Sequence, residues 1–122
     1  MRTTTGSTDL SIKESQDGDG TVLSLKGRLT IESSPSLRDR LLTVLHRPSL
    51  ETLTIDLADV PYMDGSGIAT LIEALKVART RNKTLRLSGL QDRVHYLLEI
   101  TGLLPLFQPG RDESIPSVAT TT

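Results

Sequence analysis

Leu53-Thr54-Ile55-Asp56-Leu57, Pro61-Tyr62-Met63-Asp64-Gly65-Ser66-Gly67 and Ile68-Ala69-Thr70-Leu71-Ile72-Glu73-Ala74-Leu75-Lys76-Val77-Ala78 are the stretch that decides the fold. In the first piece Leu53, Ile55 and Leu57 alternate with Thr54 and Asp56, the period of a strand with one buried and one wet face. The second, opened by proline and carrying two glycines, reads as a tight loop. In the third, Ile68, Leu71, Ile72, Leu75 and Ala78 recur at helical spacing, with Thr70, Glu73, Lys76 and Thr80 opposite, so an amphipathic helix is expected. Strand, loop and helix in this order form one half of a strand–helix–strand crossover.

Working outward, the same grammar repeats. Upstream, Leu10, Ile12 and Glu14 suggest a first strand, and Asp17-Gly18-Asp19-Gly20 a hairpin turn, since glycine accepts positive φ without penalty. This turn lacks the further acidic ligands and closing glutamate of a calcium loop. Leu23, Leu25 and Leu29 alternate with polar residues as a second strand. Ser34-Pro35 provides a hydroxyl N-cap followed by proline at the first helical position, and Leu37, Leu41, Val44 and Leu45 then share a stripe up to the stop at Pro48. Downstream, Arg81-Asn82-Lys83 makes a polar turn before a fourth strand at Leu85 and Leu87. Val94, Leu97, Leu98 and Thr101 give another helix, closed by Gly102 at the left-handed position after the last turn. Leu106 and Phe107 are read as a short final strand.

The order β-β-α-β-α-β-α, with that last strand, implies mainly parallel pairing through right-handed crossovers. Strands buried on both faces run continuously apolar, and these alternate. The expected architecture is therefore α/β: a mixed, mainly parallel four- to five-stranded sheet with its helices packed on one face. Residues 1–8 read as a flexible arm, 9–108 as the single domain, and 109–122, with Pro116 and three closing threonines, as a mostly disordered tail.

Composition narrows the chemistry. The chain has 122 residues, enough for one domain with a real core, and 36% are hydrophobic. With 14 basic and 15 acidic residues intermixed, it has no basic stripe to displace counterions from nucleic acid, and no direct nucleic-acid partner is expected. The absence of cysteine removes disulfides and thiolate chemistry, which fits a cytoplasmic protein. No segment approaches membrane-spanning length, and Met1–Thr5 leads into no apolar run, so neither membrane insertion nor a signal peptide is expected.

The loop before the long helix is where parallel α/β sheets offer function. Helix N–H groups and the positive end of its dipole converge there and favour an anionic group. Asp64 or Ser66 is the candidate helix cap, Ser66 the candidate phosphate acceptor, and Gly65 and Gly67 supply the tight turn. No histidine is placed by sequence as a base for Ser66, and Gly65-Ser66-Gly67 lacks the lysine and length of a phosphate-cradling loop. His46 lies at a helix C-terminus, where an imidazole suits the dipole, and His95 at the edge of an apolar stripe. Neither has metal-ligand spacing, so no catalytic residue, metal or cofactor is expected.

The path from Thr54-Ile55-Asp56-Leu57 through Met63-Asp64-Gly65-Ser66-Gly67-Ile68 to Leu85-Arg86-Leu87 resembles the STAS domain of bacterial anti-sigma factor antagonists. Gly27-Arg28-Leu29 resembles that family's early Gly-x-Leu element. Val94, Leu98, Thr101-Gly102-Leu103 and Phe107 resemble its third helix and terminal strand, so the resemblance covers about residues 9–108. It implies a non-enzymatic protein that binds an anti-sigma factor, often a serine kinase, and so frees a sigma factor; a phosphatase is a further possible partner. Met63, Asp64, Gly65, Ser66, Gly67 and Ile68 are then the partner-binding loop, with phosphorylation there switching binding off. Two positions depart from the family pattern. Gly65 stands where the acceptor hydroxyl usually follows the aspartate, which leaves Ser66 as the candidate, and Thr30 stands where many relatives carry aspartate. Two alternatives stay open: a STAS subunit docking on the permease of a phospholipid-transport ABC complex, which Leu87–Val94 fits equally well, and a phosphorylation-independent scaffold of a stress-signalling assembly, which Gly65 favours.

Overall fold

The computed structural model describes residues 10–18 and 20–109. The arm at 1–8 and all of the tail beyond 109 lie outside the described residues. Strand β1 (Leu10–Asp17) and β2 (Gly20–Leu29) form an antiparallel hairpin in which Asp17 pairs with Gly20 and Gly18 takes φ +61° in the turn. Helix α1 (Ser34–Leu45), β3 (Thr52–Met63), α2 (Gly65–Thr80), β4 (Thr84–Ser88), α3 (Asp92–Ile100), a 3₁₀ turn (Leu104–Leu106) and β5 (Gln108–Pro109) follow. The sheet order is β1-β2-β3-β4-β5, antiparallel at the first pair and parallel after it. Each crossover steps in the same direction, so right-handed connections bring all three helices to one face.

That face holds the core. Leu23, Leu25, Ile55, Leu57, Leu85 and Leu87 project from the sheet and are buried, as their alternation with polar residues requires. They meet Leu37, Leu41, Val44 and Leu45 of α1, Leu71 and Leu75 of α2, and Val94 and Leu98 of α3. Between the leucines, Thr52, Thr54 and Asp56 stay half-exposed on the opposite side. At the end remote from the α2 start, Arg47 pairs with Glu14 through two bonds (2.5 and 3.2 Å), and the Lys83 ammonium donates to the Arg47 and Leu50 carbonyls at 2.8 and 2.7 Å.

The structure corrects four local readings. Strand β3 does not end at Leu57: it runs through Pro61 to Met63, pairing there with Leu29 of β2. Its partner β4 stops at Ser88, opposite Asp56, so Pro61 sits where one side of β3 has no ladder and its missing N–H costs nothing. Pairing with β2 shifts on either side of Lys26, each time by one extra residue in β3, and this breaks the alternation that would reveal the continuation in sequence. The N-cap of α1 is Ser33, with Ser34 already helical; the Ser33 hydroxyl donates to the Arg28 carbonyl at 2.8 Å, not to the helix. Thr70, assigned to the wet side of α2, is buried and donates its hydroxyl to the Ser66 carbonyl at 2.9 Å, which satisfies it there. Leu106 belongs to the 3₁₀ turn and Phe107 is its cap, so the last strand begins one residue later. Gly102 takes φ +76° just beyond α3, as its position predicts.

Candidate functional site

Asp64 is the single residue between β3 and α2, and four protons converge on its carboxylate. Oδ1 accepts the Ser66 N–H at 2.9 Å, the Gly67 N–H at 3.4 Å and the Ser66 hydroxyl at 2.5 Å. Oδ2 accepts the N–H of Ile31, from the loop between β2 and α1, at 3.3 Å. The Ser66 hydroxyl, chiefly, and the three backbone N–H groups hold the Asp64 carboxyl below its ordinary range, with partial burial opposing. Asp64 is therefore the helix cap and Ser66 is not.

Ser66 has a different place. Its only hydroxyl proton goes to Asp64, so across the 3.1 Å contact with Ser34 Oγ it is the buried Ser34 that donates. The result is a chain Ser34–Ser66–Asp64 that ties the start of α1 to the start of α2. Three of the N–H groups that the sequence leaves open to an anion are occupied: Ser66 and Gly67 give theirs to Asp64, and Ile68 gives its own to the Asp64 carbonyl at 3.2 Å.

Neither glycine serves turning, since neither takes positive φ, and only Gly67 serves close packing. A Cβ on Gly67 would stand 2.6 Å from Met63 Cγ and 2.9 Å from Leu29 Cγ, both in the core. At Gly65 nothing lies within 4 Å, so that position opens outward and has room for a side chain. Of the expected loop, Met63 and Gly67 are buried; Asp64, Ser66 and Ile68 are half-buried, and Gly65 is exposed.

Beside Ser66 lies an open groove of about 340 Å³ between α1 and α2, with Ile31, Pro35 and Ala69 among its apolar walls and Ser34 and Ser66 at the helix starts. An ion pair of Arg38 Nε with Glu73 Oε1, at 2.8 Å, also lines it. Ile31 is 72% exposed, the most exposed large apolar side chain among the described residues. Sequence reasoning passed over it; the signal was an isolated isoleucine in the otherwise polar run Thr30–Ser34. His46 caps α1, its Nδ1 lying 2.7 Å from the Leu42 carbonyl, and exposed His95 lies 3.9 Å from Glu99. The structure does not bring the two histidines to this loop. No described group of His, Asp and Glu is arranged to hold a metal.

Comparison with known proteins points the same way. The family model described as "Mlab, STAS domain" matches residues 12–106. The anti-sigma-B factor antagonist of Listeria monocytogenes is 33% identical over 99 residues, 81% of this chain and 85% of the relative. The fold overlays on the anti-sigma factor antagonist SpoIIAA in its unphosphorylated form with a TM-score of 0.71 at 16% identity, over 84% of this chain and 90% of the other. The Bacillus cell fate determinant SpoIIAA in the phosphorylated form gives 0.66 at 15% identity, over 84% and 94%. At these identities the likeness to the solved structures is one of fold.

Proposed function

The chain belongs to the STAS domain family, and from that premise we propose that it acts as an anti-sigma factor antagonist, a regulatory module that works by binding and not by catalysis. Its partner on this reading is an anti-sigma factor of the serine-kinase type, met in the cytoplasm, where no described helix is long and apolar enough to cross a membrane. The role needs no cofactor or metal. The observation that carries it is the chain Ser34–Ser66–Asp64 beside the open groove, which puts a phosphorylatable hydroxyl and exposed Ile31 on one surface.

The same hydrogen bonds give the switch a physical basis. Phosphorylation of Ser66 removes the proton that Asp64 accepts at 2.5 Å and sets a charge of about −1.5 to −2 beside a carboxylate. With the N–H groups of Ser66, Gly67 and Ile68 already taken, the phosphate gains little from the helix start, and repulsion loosens the hold of Asp64 on Ile31. A partner seated over Ile31 and Ser66 then loses both shape and charge complementarity.

The test is calorimetric titration of the full chain with the kinase-type anti-sigma factor from the same genome, beside phosphopeptide mapping after incubation with that kinase and ATP. Ser66→Asp should weaken binding by at least about tenfold, and Ser66→Ala should bind like the parent. A Ser66 that stays unmodified, together with Ser66→Asp binding at parental affinity, overturns the switch. Recovery of a permease–ATPase complex in place of an anti-sigma factor, by affinity capture from the native cell, overturns the antagonist reading in favour of the transport subunit.

A further inference from the structure

Helix α3 carries apolar side chains on two opposite sides. Val94 and Leu98 point inward and are buried, as one stripe of a surface helix should be. Tyr96 and Ile100, four residues apart and so adjacent on the helix surface, are 62% and 60% exposed. Leu106, on the 3₁₀ turn that follows, is 42% exposed, so three of the four most exposed large apolar residues among those described lie on this one segment. Packing within the domain accounts for none of the three.

At the start of the helix, three residues before Tyr96, is Arg93. Its guanidinium lies 5.2 Å from the centre of the Tyr62 ring, and the guanidinium of Arg28, on β2, lies 4.7 Å from the same ring. Neither arginine has a carboxylate within ion-pairing distance among the described residues. Stacking holds a guanidinium plane in place while its edge N–H groups stay free for an incoming oxyanion, and a pair so held is arranged to receive carboxylates. Two cations are too few to hold nucleic acid, and the apolar stripe beside them favours a protein segment.

We propose that the exposed face of α3, Tyr96 and Ile100 headed by Arg28 and Arg93 on Tyr62, docks an amphipathic protein segment whose apolar side chains are followed at one end by carboxylates. This surface shares no residue with the groove beside Ser66, so it allows the domain to hold a second protein while the groove is engaged. The α3 face supplies apolar anchorage, and the guanidinium pair sets the direction in which the segment lies.

A photo-reactive residue placed at position 100, in the full chain expressed in its native cell, should cross-link one such segment, which peptide sequencing identifies. A synthetic peptide of that segment should bind the purified chain, and Arg28→Glu with Arg93→Glu should weaken it by at least about tenfold. Replacing the acidic residues of the peptide with lysine should restore binding to the reversed variant. Tyr96→Ser should weaken the peptide without altering the circular dichroism of the domain, and Ser66→Asp should leave it unchanged. No adduct, an adduct only with lipid or another copy of this chain, or a peptide indifferent to the arginine reversal overturns the proposal.

Discussion

Removing the Asp64 carboxylate tests the structural centre of the site. In Asp64→Ala the start of α2 loses its cap, an effect of about 1 kcal/mol. The bonds to the Ser66 hydroxyl and the Ile31 N–H are lost as well. A typical hydrogen bond contributes about 0.5–1.5 kcal/mol net, and water re-solvates these half-exposed groups, so the lower end applies. The sum is about 2 kcal/mol, a large part of the stability of a small domain and enough to lower Tm by roughly 10 °C. Asp64→Asn keeps an acceptor for the helix and should lose less than half of that, because asparagine caps about as well as aspartate.

The pH dependence supplies the second half of the test. The folded carboxyl of Asp64 is held below its reference value of 3.8, first by the Ser66 hydroxyl. A depressed folded pKa means that the ionised form is the stabilised one. Its contribution is therefore complete above the unfolded carboxylate value and is lost as pH falls through the folded one. Urea unfolding followed by far-UV circular dichroism should show a gap between the parent and Asp64→Asn that is constant near neutrality and closes in the acid range. Glu14 and Glu73 are depressed too, by Arg47 and Arg38, but they are common to both proteins and cancel in the difference. A gap that persists unchanged to about pH 2, or an Asp64→Ala midpoint equal to that of the parent, refutes the assigned network.

Ile55→Ala, at a position with no exposed surface in the middle of the sheet, should cost about 2–5 kcal/mol by cavity formation, read as a drop in the urea midpoint at unchanged slope. Gly67→Ala should cost about 1–3 kcal/mol, because its Cβ would overlap Met63 and Leu29, whereas Gly65→Ala should unfold like the parent; equal behaviour of the two would contradict the packing around α2.

Much of this was legible in the sequence because each element states its own environment. The alternation of Leu53, Ile55 and Leu57 with threonine and aspartate marks which face is buried, and chain order with handedness does the rest. The failures share a cause: long-range partners overrode local signals. Pro61 and Tyr62 look like loop because the eye expects a strand to need neighbours on both sides, and β3 at that point has only β2. Thr70 looks wet because its hydroxyl is polar, and it is buried because the Ser66 carbonyl one turn earlier receives that hydroxyl. The open helix start that the sequence offers to an anion is closed by the aspartate already in the motif. Ile31 and the stacked pair Arg28 and Arg93 leave no periodic trace, since their meaning depends on elements distant in the chain.

The coupling within the site follows from its hydrogen bonds. One carboxylate of Asp64 caps α2, receives the Ser66 hydroxyl and holds the backbone at Ile31, so these three features are not independent. A covalent change at Ser66 therefore reaches Ile31 through two bonds, without any rearrangement of the sheet. A side chain added at Gly65 has a different reach: apart from its chain neighbours nothing lies within 4 Å of its Cβ, so a phosphate on it would stand in the way of a partner without removing the hydroxyl proton that Asp64 accepts. On the proposed reading, a phosphate on the second position after the aspartate works through the cap, where one on the first would work by obstruction. Binding and thermal unfolding measured with Ser66 phosphorylated and with a phosphorylated Gly65→Ser variant separate the two, because only the first removes the hydroxyl bond to Asp64 and the stability that goes with it.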